Sequence, residues 1–415
     1  MTFKCNDILV SELPYASIVK DSNKKSLCSY CFKADAKLLI CQQCKYNRYC
    51  NKECQKKDWR LHKVECKAIA ACANIPNEMC LLLLRMMIKY KKDKAGDKQY
   101  GILSNEYGFK PRCFDELDSS TKDSWIVSIN FTNLIKEITQ FLAPTGQKFT
   151  DFVTKDEAKK IFDKALANLL VIQDENFGAK GNGCYLMASG LRYSCWPNTF
   201  YNFDGNKLVL RAIKDIEPNN PVYICYTDPL RLRADRRSKL RQLYQFECQC
   251  EACCDDELER EMSQLFCSHQ NCTGSVRLMY DSHDYQCNKC GQVEKKEQME
   301  ERHENNLLKL AIINESIKNN SHKEALALSI QSLKDFNIES QPENFGGLYQ
   351  LLFGEKAFEI ALYLNRTRVA KELCFMKSPT HSWIHERFVR FLGTENHPIA
   401  KKHLEKVQKF LGNRN

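Results

Sequence analysis

The spacing of apolar and polar residues divides the chain into strand-rich and helix-rich stretches. Short β-prone runs at residues 8–10 and 15–19 lie on either side of Pro14. From about residue 67 to residue 170, apolar residues recur mostly at helical spacing. This pattern predicts helices over residues 80–90, 126–142 and 156–170.

The pattern changes after residue 170, where a glycine-rich stretch at 178–183 precedes strand-like runs at 207–212 and 222–226. Turns are predicted at Asp204-Gly205 and at residues 218–220. A basic helix is predicted over 231–244, and from about residue 297 the chain is helical again, with segments at 307–317, 322–333 and 355–364. Helices alternating with polar turns are typical of stacked tetratricopeptide-type hairpins, although no consensus recurs at a fixed period.

Composition narrows the class of protein. A chain of 415 residues, 43% hydrophobic and 27% charged, favours two to four domains with real cores. No apolar run reaches the roughly 18 residues of a membrane span, and the first residues lack a secretory pattern. We therefore expect a monomer of the nucleus and cytoplasm without membrane contact. The net charge of +10 is compatible with acidic partners, but equally with a solvated surface.

The 23 cysteines change this picture most, because thiols in such a compartment stay reduced and favour metal over disulfides. Paired ligands two to four residues apart can grip one zinc ion without backbone strain. The first cluster offers eight ligands, which is enough for two tetrahedral sites: Cys28, Cys31, Cys41, Cys44, Cys50, Cys54, His62 and Cys66.

Two further clusters follow. Cys248, Cys250 and Cys253 leave a zinc ion one ligand short, and either the adjacent Cys254 or the distant Cys195 can complete the set. The third cluster predicts a zinc ribbon whose two knuckles are joined by a strand-like run at 275–280, with His269 as an alternative ligand. Its cysteines are Cys267, Cys272, Cys287 and Cys290.

The first cluster resembles the MYND finger. The resemblance rests on the order of the ligand pairs, on Tyr49-Cys50-x3-Cys54-Gln55 and on Trp59-x2-His62-x3-Cys66. It implies a cross-braced arrangement, with one zinc ion on the first and third ligand pairs and the other on the second and fourth. It also implies binding of short proline-containing peptides, for which the surface candidates are Tyr46, Tyr49, Gln55 and Trp59, Trp59 being alternatively part of the small core of the finger.

The chain as a whole resembles the SET-and-MYND family of protein-lysine methyltransferases. Besides the finger, the motifs are Ser194-Cys195-Trp196-Pro197-Asn198, Val222-Tyr223-Ile224-Cys225-Tyr226 and Tyr244-x-Phe246-x-Cys248-x-Cys250-x2-Cys253. The resemblance implies that Cys195 is the fourth post-SET zinc ligand, which makes about four zinc ions in all and leaves Cys254 a buried free thiol.

The fold implied is α+β and zinc-rich: a β-rich SET core interrupted by the finger and a helical insert, a post-SET zinc knuckle, and an all-helical tetratricopeptide-like end. The expected parts are N-terminal SET strands at 1–27, the MYND finger at 28–66, a helical linker and insert at 67–170, core SET at 171–230, post-SET at 231–254, a ribbon-like segment at 255–295 and a helical domain at 296–415.

The same resemblance implies the reaction and its residues. Tyr226 is the catalytic phenol, and Tyr244 and Phe246 line the lysine channel and the adenine side of S-adenosylmethionine. Aromatic walls supply a dry channel that steadies a methylated ammonium ion. Further cofactor contacts fall on Asn168, Ser189, Leu191, Arg192 and Tyr193.

Three departures from the family pattern bear on that reaction. Arg192-Tyr193 stand where the family has Asn-His, and Asn219-Asn220-Pro221 replace an acidic turn. The family's Gly-x-Gly turn is expected ahead of residue 8 but is not found there. Two hypotheses therefore compete: a methyltransferase with an altered cofactor pocket or a shortened N-terminus, and a cofactor-free adaptor that binds peptides through its finger and helices. Weak nucleic-acid contact through the basic finger face and the helix at 231–241 is a third, auxiliary expectation.

Overall fold

The computed structural model describes residues 2–35, 37–96, 101–119, 125–174, 178–244, 246–270, 272, 274–279, 282–334, 347–364, 366–374, 383–392 and 394–412. The strands are β1 (Ile8–Glu12), β2 (Ala16–Val19), β3 (Leu39–Ile40), β4 (Arg48–Tyr49), β5 (Ile102–Asn105), β6 (Leu169–Gln173), β7 (Ala179–Cys184), β8 (Arg192–Tyr193), β9 (Thr199–Asp204), β10 (Lys207–Ala212), β11 (Tyr223–Ile224), β12 (Leu265–Phe266), β13 (Ser275–Leu278), β14 (Tyr285–Cys287) and β15 (Val293–Glu294).

The helices are distributed along the whole chain. They are α1 (Lys52–Ala71), α2 (Glu78–Lys94), α3 (Trp125–Leu142), α4 (Lys155–Asn168), α5 (Arg233–Leu243), α6 (Glu251–Cys254), α7 (Asp256–Met262), α8 (Lys296–Lys318), α9 (His322–Lys334), α10 (Leu348–Tyr363), α11 (Thr367–Cys374), α12 (Trp383–Leu392) and α13 (Pro398–Gly412). Short 3-10 turns lie at Asp21–Asn23, Phe114–Glu116, Ala143–Thr145, Phe149–Asp151 and Ala188–Gly190.

The chain forms two compact units. The first contains residues 1–193, 197–226 and 239–247, and the second contains 194–196, 227–238 and 248–415. The fold is thus a mixture of helices and sheets with zinc-type cysteine clusters, which confirms the α+β expectation at this level.

The first unit is built on a sheet with the strand order β5-β1-β10-β9. The β9–β10 hairpin turns at Gly205, whose φ of +67° lies in the left-handed region that glycine tolerates best. Leu208 and Leu210 on β10 are fully buried, as is Leu9 on β1. The alternation of apolar and polar residues along β10 therefore points one set of side chains into the core.

A second sheet in this unit has the order β2-β7-β6 and explains the glycine-rich stretch. A Cβ atom on Gly181 would collide with the carbonyl oxygen of Ile18 and with the ring of Phe32. Glycine therefore permits the close approach of β7 to β2. The two-residue strands β8 and β11 pair in parallel, with Tyr223 opposite Arg192 and Ile224 opposite Tyr193.

The helices of the first unit pack against this second sheet and the finger. In α2, residues 80–88 are all buried, and the side chain of Asn77 caps the helix by accepting from the N–H groups of Met79 and Cys80. Thr154 and Glu157 form a capping box at the start of α4. Helix α2 contacts β2, α1, α3 and α4, so it is the central helix of the unit.

The second unit combines a small sheet with helices. Its sheet is antiparallel with the order β12-β13-β14-β15. From α8 onward, successive helices pack as α8–α9, α9–α10, α10–α11 and α12–α13. Fully buried aromatic rings in this part include Phe353, Phe358 and Phe388.

Several predicted helices are confirmed, and others differ in length. The helices predicted at 80–90, 126–142 and 322–333 correspond to α2, α3 and α9. The segments predicted at 307–317 and 355–364 fall on the longer helices α8 and α10. Helix α8 begins earlier, in a polar stretch, whereas α10 begins earlier in the mostly apolar residues 348–353 and ends at Tyr363. The basic helix predicted at 231–244 begins at Arg233 and ends at Leu243.

The strand predictions were less complete. The helix predicted at 156–170 ends at Asn168, because Leu169 and Leu170 already pair with β7. Strand β5 lies within a stretch predicted to be mostly helical, and β7 was hidden by its glycines. The strand predicted at 222–226 is limited to β11, and the run at 275–280 to β13, while Tyr280 lies outside the described residues.

Candidate zinc centres and aromatic site

The finger places its eight predicted ligands in two groups. Cys28, Cys31, Cys50 and Cys54 form one group, here called the outer site, and Cys41, Cys44, His62 and Cys66 form the other, here called the inner site. Within each group all ligand atoms lie within 4.8 Å of one another. This is the cross-braced grouping that the resemblance implies.

The distances within these groups fit zinc. Zn–S bonds of about 2.3 Å and Zn–N bonds of about 2.0 Å in a tetrahedron place two ligand atoms roughly 3.5–3.8 Å apart. The Sγ atoms of Cys31 and Cys50 are 3.5 Å apart, and Cys44 Sγ lies 3.6 Å from His62 Nε2. In the outer site, the hydrogen bond between Cys28 and Cys31 lowers the pKa of the Cys28 thiol to about 5, which favours the metal-binding thiolate.

His62 is held by groups behind the inner site. Its Nε2 faces Cys44, whereas its Nδ1 lies 3.5 Å from Glu65 Oε2 and 3.1 Å from Asn47 Nδ2. A ligating histidine commonly donates its second ring N–H to a carboxylate, which fixes the tautomer and the ring orientation. Glu65 therefore serves as the orienting group of the inner site.

A buried ion network connects this site to the helical insert. Arg85 from α2 donates to Glu65 through Nε at 2.6 Å and to Asp58 through Nη1 at 3.2 Å. All three side chains are at most 4% exposed. Burial alone raises the pKa of Glu65, but the charge of Arg85 and the bond to His62 outweigh it and lower that pKa to about 2. Charge-assisted hydrogen bonds thus connect the finger to α2.

The second unit contains two more groups of four cysteines. Cys195, Cys248, Cys250 and Cys253 form the knuckle site. Cys195 Sγ lies 3.6 Å from Cys253 Sγ, and the Cys195 N–H donates to Cys250 Sγ at 3.3 Å. Hydrogen bonds from Cys195 and Cys248 lower the pKa of Cys250 far below its usual range. Of the two candidate fourth ligands, the structure therefore brings Cys195 to the group.

The position of Cys254 corrects the expectation that it is a buried free thiol. Cys254, the last residue of α6, is exposed rather than buried, and it is not part of the ligand group. Arg236 is 2% exposed and its Nη2 lies 3.8 Å from Cys253 Sγ. A buried guanidinium beside a thiolate offsets negative charge that four cysteines bring to one metal ion.

The ribbon site consists of Cys267, Cys272, Cys287 and Cys290. Cys267 and Cys290 lie 3.5 Å apart and Cys272 and Cys287 3.6 Å apart, all between Sγ atoms. His269 is outside this group, but its backbone N–H donates to Cys267 Sγ at 3.4 Å. Cys290 is exposed, so this site faces solvent on one side.

Aromatic rings gather around Tyr226 in the first unit. The ring of Tyr226 lies 5.0 Å from Tyr244 and 5.3 Å from Tyr193, and Tyr193 meets Phe246 edge-on at 5.3 Å. These four residues are here called the aromatic site. Burial raises the pKa of the Tyr226 phenol well above its usual range, with a smaller contribution from Tyr244, so the hydroxyl group remains protonated. Its O–H faces the carbonyl oxygen of Leu191 at 3.4 Å.

The remaining predicted cofactor residues lie along one chain of contacts beside this site. Asn168 is 4% exposed and donates to the carbonyl oxygens of Asp118 at 2.7 Å and Lys164 at 2.8 Å. Ser189 donates to the carbonyl oxygen of Asn168 at 3.1 Å. Leu191 then follows in the chain and contacts Tyr226 as described.

Arg192 and Tyr193 point in different directions. They are consecutive residues of β8, where side chains alternate between faces. Tyr193 contributes its ring to the aromatic site, whereas Arg192 is exposed. The guanidinium of Arg192, which stands where the family has asparagine, is therefore turned away from the rings.

Three residues near this site were missed by sequence reasoning. Arg112 packs on Gly190, where a Cβ atom would collide with the guanidinium, and its charge and that of Asp118 both act on Tyr226. Glu12 is 1% exposed and accepts the N–H groups of Met187 at 3.1 Å and Ala188 at 2.8 Å. The available signal for Glu12 was a lone acid ending an apolar strand.

The peptide-binding candidates of the finger separate into buried and accessible residues. Tyr49 is fully buried and donates to Asp58 at 2.8 Å, so its prediction as a surface residue was wrong. Trp59 is 38% exposed and touches His62 edge-on, which favours the surface interpretation over the core one. Tyr46 and Gln55 are half-buried, and Tyr46 accepts a bond from Lys24 at 2.7 Å.

None of the helices described here combines the length and the apolar character needed to cross a bilayer.

Comparison with known proteins gives a family-level match and several relatives. The MYND finger model matches residues 28–66. The human N-lysine methyltransferase SMYD2 is 28% identical over 265 residues, which are 63% of this chain and 58% of that protein. The mouse histone-lysine N-methyltransferase SMYD3 is 29% identical over 259 residues, 62% of this chain and 58% of the relative. The Arabidopsis thaliana histone-lysine N-methyltransferase ASHR1 is 24% identical over 306 residues, 72% of this chain and 62% of the relative. The chain thus covers less than two thirds of the length of each of these relatives.

Proposed function

Because this chain belongs to the SET-and-MYND family of protein-lysine methyltransferases, we propose that it transfers methyl groups from S-adenosylmethionine to lysine side chains of proteins. The observation that carries the proposal is the aromatic site. The protonated phenol of Tyr226 lies beside the rings of Tyr193 and Tyr244, and its O–H faces the carbonyl oxygen of Leu191. Phe246 packs on Tyr193, and Ser189 bonds to Asn168 in the turn that precedes Leu191.

The chemistry of these groups suits the reaction. A lysine amine is nucleophilic only when it is neutral, and burial among apolar rings disfavours the charged ammonium form. After transfer the amine carries charge and methyl groups, which the faces of Tyr193, Tyr226, Tyr244 and Phe246 stabilise. The hydroxyl group of Tyr226 orients the amine at the point where the rings converge.

The residues present also fit the cofactor. S-adenosylmethionine, when bound, supplies the methyl group as part of a sulfonium cation. Aromatic faces and the carbonyl oxygen of Leu191 suit that cation. Asn168 and Ser189 hold the turn that precedes Leu191 through their hydrogen bonds to backbone carbonyl oxygens. The side of Arg112 that packs on Gly190 offers a cation for a carboxylate. Arg112, rather than the exposed Arg192, therefore takes the carboxylate end in this proposal.

The finer architecture belongs to the same proposal. The sheets β5-β1-β10-β9 and β2-β7-β6 form a SET core that the finger at 28–66 and the insert at 67–170 interrupt. The knuckle site is post-SET, the ribbon occupies 255–295, and α8–α13 form the tetratricopeptide-like domain. Four ligand groups bind four zinc ions, and the protein works in the nucleus and the cytoplasm.

The decisive variant is Tyr226→Phe, tested with the zinc-loaded protein, radiolabelled S-adenosylmethionine and a lysine-containing peptide array. Removing the phenol oxygen is expected to lower turnover at least tenfold with little change in cofactor affinity, because the oxygen acts on the reacting amine. Tyr223→Phe, three residues earlier on β11, is the matched control and should retain the parent rate. Equal rates for all three proteins would contradict the assignment.

The cofactor assignment is tested by a second pair of variants. Arg112→Ala is expected to weaken S-adenosylmethionine binding about tenfold, while Arg192→Ala leaves it unchanged, because only Arg112 packs at Gly190. If Arg192→Ala weakened binding and Arg112→Ala did not, the cofactor carboxylate would be assigned to Arg192 instead. Calorimetric titration of the folded variants measures both affinities.

The finger is proposed to bind proline-containing peptides through Trp59 and Gln55. Preformed polyproline segments lose little conformational freedom on docking, so a shallow surface suffices. Trp59→Ala should abolish binding to a proline-rich array, and a control at Lys63, on the same helix, should not. An array without proline dependence would contradict this part of the proposal.

A further inference from the structure

The ribbon site differs from the other three ligand groups in its access to solvent. Of the sixteen ligands that the structure brings together in the four groups, Cys290 is the exposed one. The inner site is buried at every ligand, and the outer and knuckle sites contain only buried and half-buried ligands. Oxidation of a thiolate follows its exposure, so a small oxidant reaches Cys290 more readily than the other ligands.

A second cysteine lies where it can react with an oxidised Cys290. The buried Cys267 has its Sγ atom 3.5 Å from Cys290 Sγ. Cys267 directly follows β12, whereas Cys290 lies in the turn between β14 and β15, so this pair bridges the two knuckles of the ribbon. Redox-sensitive sites often combine an accessible cysteine with a neighbouring one that resolves the oxidised product.

The outer site of the finger provides an internal comparison. The Sγ atoms of Cys31 and Cys50 are also 3.5 Å apart, as are those of Cys267 and Cys290. Cys31 and Cys50 are both half-buried, however, whereas Cys290 is exposed. The separation of the sulfur atoms therefore does not distinguish the two pairs, and solvent access does.

We propose that the ribbon site is a redox-sensitive zinc site, at which hydrogen peroxide oxidises Cys290 and the metal is released. The thiolate sulfur of Cys290 attacks one peroxide oxygen, the O–O bond breaks, and a sulfenic acid and a hydroxide ion form. The thiolate of Cys267 then attacks the sulfenic sulfur, which forms the S–S bond and releases a second hydroxide ion. The two thiolates thus supply the two electrons that reduce the peroxide, and zinc stays divalent.

Release of the metal follows from the number of ligands that remain. After oxidation only Cys272 and Cys287 are left as thiolates, and two ligands do not complete a tetrahedral zinc site. The ribbon depends on its metal, because its four strands are only two to four residues long. The proposal rests on the zinc content proposed above for the ribbon site, and it is independent of methyl transfer.

Loss of zinc reaches helix α8 through a buried ion pair. Ser268, next to Cys267, donates its N–H to Glu294 Oε1 at 2.9 Å. Glu294 is 3% exposed and pairs with Arg302 of α8, which also donates to the carbonyl oxygen of Phe266 at 2.5 Å. Oxidation of the ribbon is therefore expected to loosen α8 around Arg302 as well.

The test treats the zinc-loaded protein with hydrogen peroxide and follows zinc release with a chromogenic chelator. We expect about one zinc ion per chain to be released about tenfold faster than the rest, together with a Cys267–Cys290 disulfide in the peptide map. Dithiothreitol and added zinc should restore the site. Hydrogen exchange should increase in β13, in β14 and around Arg302, while residues 28–66 keep their protection.

Two variants separate Cys290 from other exposed thiols. Cys290→His removes the reactive sulfur but keeps a zinc ligand, because an imidazole nitrogen binds zinc at about 2.0–2.1 Å. It should retain the zinc content of the parent and lose the fast phase of release. Cys254→Ser is the matched control, since it removes an exposed thiol outside the ligand groups, and it should retain the fast phase. If Cys290→His does not hold zinc, the disulfide map of the parent still tests the proposal.

Other results would overturn the proposal. A first disulfide between Cys31 and Cys50, or loss of the fast phase in Cys254→Ser, would assign the oxidation to another site. A fast phase that persists in Cys290→His would exclude Cys290 as the reacting group. Elemental analysis before oxidation separates this failure from failure of the zinc assignment, because a Cys267→Ser variant with as much zinc as the parent would show that the ribbon holds none.

Discussion

The eight ligands of the zinc finger lie within residues 28–66, whereas the rings of the aromatic site come from β8, from the segment after β11 and from the end of α5. Metal coordination can order the finger from local spacing, since short segments without a core fold on binding zinc. The residues of the aromatic site are spread from position 193 to position 246, so local spacing alone does not bring them together. The geometry of this site depends on the sheets and turns that bring Tyr193 to Tyr226 and Phe246.

The knuckle site combines ligands that are close in sequence with one that the fold brings from a distance. Three of its ligands follow one another closely, at Cys248, Cys250 and Cys253, but Cys195 comes from more than fifty residues earlier. Local spacing therefore predicts that metal binds, while the choice of the last ligand depends on the fold. A zinc ligand is therefore readily predicted from sequence when its partner ligands lie nearby in the chain, and depends on the fold when they do not.

Breaking the inner finger site should lower folding stability more than any of the other changes. Cys66→Ser leaves three ligands, and structural zinc in finger peptides contributes about 10–16 kcal/mol of folding free energy. We expect residues 28–66 to lose protection against hydrogen exchange, while the strands β9 and β10 retain theirs. A finger that stayed protected without its zinc would remove the distinction between the two regions.

The knuckle gives the next largest effect. Cys195→Ser should lower the zinc content of the protein by one ion, because three thiolates hold the metal poorly. Cys254→Ser is the matched control and should leave the metal content unchanged, since Cys254 is exposed and outside the ligand group. Elemental analysis of the purified variants measures their zinc content. Loss of zinc in Cys254→Ser would reverse the ligand assignment.

Breaking the contact between the finger and α2 should lower the free energy of unfolding by a smaller amount. Arg85→Met leaves Glu65 and Asp58 buried without their cation, and breaking a buried pair in this way costs about 3–5 kcal/mol. Urea unfolding measures the loss, with Lys56→Met on the surface of α1 as the control. A change in Arg85→Met as small as in the control would show that the finger is stabilised by metal alone.

The smallest predicted effect concerns the turn that carries Ser189 and Leu191. Burial raises the pKa of Glu12 to about 7, although the N–H groups of Met187 and Ala188 oppose that shift. The folded protein therefore holds a proton that the unfolded chain releases near pH 4.5, and the free energy of unfolding falls as pH rises from about 4.5 to 7. Each pKa unit is worth about 1.4 kcal/mol, so the fall amounts to roughly 2–3 kcal/mol.

Glu12→Gln cannot ionise and should remove this part of the pH dependence. Urea unfolding at pH 6, 7 and 8 compares it with the parent and with the exposed Glu324→Gln. Since zinc thiolates take up protons in acid in all three proteins, the difference between their slopes is the quantity to measure. Parallel pH profiles for Glu12→Gln and the parent would contradict the buried-acid account.

The sequence predicted ligand spacing, long apolar helices and the alternating strands well, because each depends on nearby residues. It predicted β7 poorly, since the glycines that allow β7 to approach Ile18 are also typical of loops. It extended α4 into β6, because Leu169 and Leu170 continue the apolar spacing while pairing with a distant strand. Tyr49 was misplaced on the surface for a similar reason: its partner Asp58 is also bonded to Arg85 of α2, which is distant in the sequence.

The central claim is that the aromatic site and the residues beside it form a pocket for S-adenosylmethionine. The most direct measurement is calorimetric titration of the zinc-loaded protein with S-adenosylmethionine. We expect saturable binding of the cofactor to one site per chain, displaced by S-adenosylhomocysteine and weakened by Arg112→Ala. Absence of binding up to millimolar cofactor, in protein whose zinc sites are filled, would contradict it and favour the cofactor-free, peptide-binding adaptor.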